Sequence, residues 1–314
     1  MPLSKRVQRN EEVKTMIFSW TYAESEPQQI KYFLKAQGIS RGLLAKVKFQ
    51  GGHISVNGTT QNVLYYLQPD DVLAIEIPDE KEHETLLRDE TPLEIIFEDA
   101  HYLIVNKPYD VASIPAQYHP NGTMANRVKH YICEQGYKDQ VVHVVTRLDR
   151  DTTGLMLFAK HGFAHAMLDQ ELREKRVIKK YQALVGGAVD SLKEHDTITL
   201  KIERDPGSIL KRQTGPNGLE SKTEYWLMEK TTKSALVDIQ LHTGRTHQIR
   251  VHFEAIGCPL LGDDMYHGDL SQGINRQALH CGELIFTHPF TKEIVHCQLP
   301  LAPDMLVVYN QMVE

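Results

Sequence analysis

His143-Val-Val-Thr146-Arg147-Leu148-Asp149-Arg150-Asp151-Thr152-Thr153-Gly154 sets one aspartate between two arginines and closes with a polar turn ahead of the apolar run Leu155–Ala159. A guanidinium beside a carboxylate lowers its pKa and fixes its orientation, so Asp149 is expected to stay ionised. That is how a fold makes an aspartate a nucleophile. On an extended strand Arg147, two residues earlier, would share the face of Asp149.

Working outward, Pro92–Phe97 and the apolar part of His101–Pro108 read as strands, with Lys107 as a structural, backbone-contacting lysine. Thr123 can cap a helix through Met124, Val128 and Ile132 that ends at Gly136. A second helix, Phe163–Lys175, turns Met167, Leu168 and Leu172 inward, and a strand follows over Val177–Val185. On that strand Tyr181 shares a face with Ala183 and Val185. Pro206–Leu219, rich in Gly and Pro, reads as a mobile surface loop. In His242-Thr-Gly-Arg-Thr246-His247-Gln-Ile249-Arg250, Thr246 can cap a helix whose stripe is Ile249, Phe253 and Ile256, ending at Gly257. Arg250 then sits in the early turns, where the helix dipole disfavours a cation, so an anion should compensate it. His247 reads as a hydrogen-bonded structural histidine.

Nearer the N-terminus, Ile30, Phe33 and Leu34 share a helical face that stops at Gly38, and Ser40 caps a second helix with Leu43, Leu44 and Val47 inward. His53–Val56 reads as a strand, Asn57-Gly58 as a tight turn, and Asp70-Asp71 as a turn before Val72–Ile77. The chain of 314 residues carries a net charge of −6, which argues against a uniformly basic nucleic-acid binder. The charge is uneven: Gln28–Gln50 holds five basic residues (Lys31, Lys35, Arg41, Lys46, Lys48) and no acidic one, whereas Asp79–Glu90 holds six acidic residues. A basic module beside an acidic connector can meet phosphates locally. Cys133, Cys258, Cys281 and Cys297 show no C-x-x-C spacing, so buried thiols are expected and no metal. Lys5, Arg6 and Arg9 precede no apolar h-region, and no run approaches membrane-span length, so a soluble cytoplasmic protein is expected. Nucleotide-binding glycine motifs and H-E-x-x-H do not occur.

Arg147-Leu-Asp149-x-x-Thr-Thr-Gly154 resembles the catalytic signature of RluA-type pseudouridine synthases, and further matches follow in order over about Glu94–Pro303. The resemblance implies an α+β fold: a mixed, mostly antiparallel sheet with flanking helices. It implies that Asp149 is the essential carboxylate, that Arg147 fills the space left by a flipped uridine, and that Tyr181 stacks on the base. It also implies that Arg250 pairs with the aspartate and that Ile249 packs beside the base. No cofactor is implied, because product and substrate have the same atoms. Cys258–Gly268 and Arg276–His280 match as scaffold. Thr146 stands where many members carry His, and Thr153 where Ser is common. Ahead of this, Ile39-Ser-Arg-x-Leu-Leu, Val56-Asn-Gly and Pro69-Asp-Asp resemble the alpha-L RNA-binding module.

The expected organisation is an N-terminal extension (1–21), an RNA-binding module (22–78), an acidic linker (79–91) and a catalytic domain (92–314), acting as a monomer. The implied partner is structured RNA, large-subunit rRNA first and tRNA second. Two other readings stay open at this point. Asp149-Arg-Asp151-Thr-Thr153 fits D-x-D-x-T of magnesium-dependent phosphohydrolases, with Gly262-Asp263-Asp264 as the later metal motif. A non-catalytic RNA-binding factor would keep the fold without turnover.

Overall fold

The computed structural model describes residues 16–80, 85–117 and 119–314; the basic residues of the first ten positions and residues 81–84 of the linker lie outside the described residues. Strand β1 (Met16–Thr21) opens the first unit. It is followed by α1 (Ile30–Ala36), α2 (Arg41–Phe49), β2 (His53–Val56) and β3 (Val72–Ile77). The sheet order is β1-β3-β2, extended by the short piece Thr59–Thr60. β1 thus belongs to this sheet, pairing Trp20 with Leu73, although it precedes Tyr22. Its alternation of half-buried and exposed residues is the mark of a strand with one face on a core.

Local chemistry sets these elements. The Ser40 hydroxyl accepts the Leu43 N–H at 3.1 Å, capping α2. Asn57 and Gly58 both take positive φ (49° and 78°), the geometry a two-residue hairpin needs. Leu34, Val47, Leu73 and Ile75 close the small core.

This unit is docked rather than tethered. Phe18 of β1 packs edge-on against Phe163 (4.8 Å between ring centres) and stacks near Phe290 (5.5 Å). Glu80, at the start of the acidic connector, accepts from Lys46 at 2.9 Å, from His143 at 2.5 Å and from the Gly162 N–H at 3.0 Å. Burial works against its charge, yet His143 and Lys46 outweigh burial and hold it at about 2. The connector therefore begins as a clasp between the units.

The second unit contributes β4 (Glu94–Glu98), β5 (Tyr102–Lys107), α3 (Met124–Glu134), β6 (Thr153–Ala159), α4 (Gly162–Arg173) and β7 (Ile178–Gly186). It continues with β8 (His195–Thr199), β9 (Ile202–Arg204), β10 (Arg212–Thr214), β11 (Lys222–Lys230) and β12 (Ser234–Leu241). Helix α5 (Gln248–Ala255), β13 (Leu279–Thr287) and α6 (Pro303–Val313) complete it. The sheet runs β8-β11-β12-β7-β13-β6-β5-β4. Among the described residues its pairings are antiparallel except β6 with β13. The α+β, mostly antiparallel expectation holds.

That parallel junction explains a glycine. Gly154 has φ 110°, and a Cβ there would lie 2.3 Å from the Cys281 carbonyl oxygen. Three local expectations need correction. Arg147–Asp149 is not a strand: the Leu157 carbonyl accepts both the Val145 and Thr146 N–H groups, so the ladder stops and the chain peels away. Thr246 does not cap α5; His247 occupies that position with φ 57°, and the Gln248 side chain accepts the Arg245 N–H instead. Pro206–Leu219 is not simply a loop, because β10 lies within it and pairs with β9 as a hairpin. No helix among the described residues is long and apolar enough to cross a membrane.

Candidate active site

The loop that leaves the ladder is tied at alternate residues. The Thr146 hydroxyl accepts the Leu157 N–H at 3.0 Å. Ser113 grips Leu148 twice, donating to its carbonyl at 2.6 Å and accepting its N–H at 3.0 Å. Lys107, fully buried, donates to the carbonyls of Pro108 (2.7 Å) and Arg150 (2.6 Å). Burial pushes its ammonium down to about 7, while Asp151 and Asp149 pull the other way. Residues 146, 148 and 150 are thus fixed, and Arg147 and Asp149 between them line the cleft.

The cleft has a volume of about 390 Å³, and Arg147, Asp149, Tyr181, Ile249 and Arg250 all line it. All five expected site residues meet in one place. The Asp149 side chain is 29% exposed, with Oδ2 3.6 Å from Arg250 Nη1. Neither flanking arginine holds it: Arg150 pairs with Asp151 at 3.0 Å and lies 3.7 Å from Asp110, and Arg147 stands exposed. The guanidinium expected beside Asp149 comes from α5.

Arg250 has a stronger partner than expected. Its Nε and Nη2 donate to the two carboxylate oxygens of Asp263 at 2.6 and 2.8 Å, and both side chains are buried (7% and 1% exposed). Burial opposes the arginine charge, but the Asp263 hydrogen bonds and the charges of Asp263 and Asp149 outweigh it and raise its pKa. In the sequence Asp263 stood in a stretch matched as scaffold and in the alternative metal motif, not as the partner of Arg250, thirteen residues upstream across a turn. The turn that places it needs Gly262, which has φ 72° and no room for a Cβ, since one would lie 2.3 Å from the Arg276 carbonyl oxygen.

Tyr181 is 4% exposed, and burial, with Cys281 and Asp149 adding, pushes its hydroxyl well above the ordinary range, so it remains protonated. Lys179, unmarked by the sequence, also lines the cleft, with its pKa lowered by burial. His247 is the hydrogen-bonded histidine expected, its Nδ1 2.9 Å from the Tyr266 hydroxyl, and its Nε2 also stands 4.0 Å from Asp149 Oδ2. The D-x-D-x-T reading finds no support here: Arg250 holds the Asp263 carboxylate in a buried pair, and among the described residues no group of three His, Cys, Asp or Glu side chains is placed to hold a metal ion.

A family described as RNA pseudouridylate synthase matches residues 101–255. The RNA pseudouridine synthase YjbO of Bacillus subtilis is 41% identical over 276 residues, covering 88% of this chain and 96% of that one. The chain belongs to the RNA pseudouridine synthases. The synthase is also 33% identical over 254 residues to the ribosomal large subunit pseudouridine synthase D of Haemophilus influenzae, covering 76% of each chain. Human RNA pseudouridylate synthase domain containing 1 superposes with a TM-score of 0.57 at 25% identity, over 70% of the synthase and 89% of that chain. As a member of this family the synthase is an isomerase that turns uridine in RNA into pseudouridine.

Proposed function

We propose that Asp149 is the carboxylate that carries the isomerisation, acting on an everted uridine of large-subunit rRNA. The observation that carries this reading is an aspartate with open lone pairs, 3.6 Å from a buried guanidinium, facing a cleft that also holds a buried tyrosine and isoleucine. In the reaction the N1–C1′ bond breaks, the base turns, C5 bonds to C1′, and the proton leaving C5 is balanced by one gained at N1. Asp149 either attacks C1′ or takes a sugar proton to give an unsaturated sugar; both routes use the ionised form. Arg147, exposed at the rim, replaces the stacking lost when the base leaves, a cost of about a few kcal/mol. Tyr181 offers the base an aromatic face and Ile249 an apolar one. Arg250 steadies the carboxylate.

The unit before the acidic connector is proposed as the RNA-holding arm, through Lys31, Lys35, Arg41, Lys46 and Lys48. In support, Tyr32 and Phe49 are 55% and 77% exposed, with the Lys31 and Lys48 ammonium groups 4.8 Å from their ring centres. Aromatic faces flanked by cations suit unpaired bases and their phosphates. Of the five cations, Lys46 alone among the described residues is in an ion pair, with Glu80. The rRNA assignment draws on the relative named for the ribosomal large subunit. Mapping pseudouridines in a strain lacking the protein tests it: one or more large-subunit positions should revert to uridine and return with the wild-type chain but not with Asp149→Asn. Loss confined to tRNA would overturn the substrate assignment.

A further inference from the structure

Beside the cleft lies a second hollow of about 510 Å³, sharing Gly244, Arg245 and Thr246 with it. Arg204, Arg212 and Arg245 line this hollow. Arg204 of β9 and Arg212 of β10 are direct cross-strand partners. Like charges directly opposite on a two-stranded ribbon are destabilising, so the hairpin carries a local conflict. Among the described residues no carboxylate lies within ion-pair distance of any of the three guanidiniums. Each instead donates to a backbone carbonyl: Arg204 to Ile209 at 2.8 Å, Arg212 to Lys211 at 3.4 Å, Arg245 to Glu220 at 3.3 Å. A carbonyl orients a guanidinium but leaves its charge uncompensated. Glu203, also in the lining, is occupied by Gln213 (3.3 Å) and the Asn217 N–H (3.1 Å). The hairpin is held in register with the active site, because the Arg212 N–H donates to the Tyr266 hydroxyl at 2.9 Å and that hydroxyl meets His247.

We propose that this hollow binds the phosphodiester backbone of the RNA strand adjoining the everted uridine. Three guanidiniums with spare donors, continuous with the cleft, match the charge and forked geometry of phosphate oxygens. The phosphates relieve the cross-strand conflict and fix which nucleotide stands opposite Asp149. The proposal rests on the reading that the cleft takes a uridine from RNA.

The test compares wild type, Arg204→Gln and Arg204→Gln/Arg212→Gln on transcribed large-subunit rRNA fragments, measuring affinity against KCl concentration, conversion kinetics, and melting without RNA. The plot of log affinity against log salt should become shallower by about 0.7 for each lost contact to a single strand. KM should rise by about three- to tenfold with kcat unchanged. Melting without RNA should hold or rise, since opposed charges have been removed; a merely structural pair would lower it. An unchanged salt slope, or a fall in kcat at constant KM, overturns the proposal; should the double variant unfold, Arg204→Gln alone decides. The slope needs no turnover, so it judges the hollow even if Asp149→Asn still converts uridine and the catalytic reading falls.

Discussion

Arg250 faces two aspartates and holds them differently. Asp263 takes the Nε–Nη2 edge at 2.6 and 2.8 Å in a buried, bidentate pair, while Asp149 receives one longer approach of 3.6 Å from Nη1 and stays 29% exposed. A bidentate pair engages both carboxylate oxygens and fixes the guanidinium plane. The looser contact sets a positive charge beside Asp149 and leaves its oxygens open to a sugar. The same cation thus anchors on one side and tunes on the other, and the anchor makes the tuning possible.

The comparison is broken most severely at Asp149. Asp149→Asn keeps the shape and removes the reactive charge, so conversion should fall by more than about a thousandfold, with RNA affinity within about twofold. Paired turnover and binding assays check this; retained conversion would move the reactive group elsewhere in the cleft. Next comes the anchor. Asp263→Ala strips a buried guanidinium of its bidentate partner, and breaking a buried pair typically costs about 3–5 kcal/mol of stability. Denaturant unfolding should show that loss, and conversion should fall by about ten- to a hundredfold as Arg250 loses its orientation. An Asp263→Ala protein with full stability and turnover would mean that Arg250 is placed by other contacts. A milder test keeps both aspartates: Tyr181→Phe retains the aromatic face and loses only the hydroxyl, so a loss of about tenfold or less is expected in single-turnover rate, and a loss near that of Asp149→Asn would make the hydroxyl an obligatory proton carrier.

The same contrast separates what was legible in the sequence from what was not. Asp149, Arg147, Tyr181, Ile249 and Arg250 each stand in a local motif, and all five reach one cleft. Helix ends written in short-range chemistry were equally legible, as with Ser40 and the Leu43 N–H or Thr123 with Asn126. What failed depended on distant atoms. The apparent strand at Arg147 ends because one carbonyl, that of Leu157, accepts two N–H groups. The expected cap at Thr246 gives way because His247 enters the left-handed region and Gln248 takes over the local donors. Asp263 was hidden for the same reason: its partner is set by a turn whose need for Gly262 appears only when the Arg276 carbonyl is in place. Flanking charge misled as well, since Arg150 is drawn to Asp151 and away from Asp149.

The finest test asks whether Asp149 can be converted into something like Asp263 without mutating it. The Tyr266 hydroxyl oxygen accepts the Arg212 N–H at 2.9 Å, which leaves its own hydrogen for His247 Nδ1, also at 2.9 Å. The imidazole proton then resides on Nε2, 4.0 Å from Asp149 Oδ2. Burial lowers the His247 pKa, with Arg250 and Arg212 acting the same way against Asp149 and Asp263, so the ring is neutral near pH 7. As pH falls from the ordinary histidine value through the lowered one, the ring gains a charge and gives Asp149 a second cation, tightening the carboxylate and dulling it. kcat should therefore drop by about threefold on an acid limb centred below about 6.5. His247→Gln, uncharged throughout, should flatten that limb while leaving the rate at pH 8 near wild type. A limb centred at or above the ordinary histidine value, or one that persists in His247→Gln, would show that the freedom of Asp149 is set by Arg250 alone.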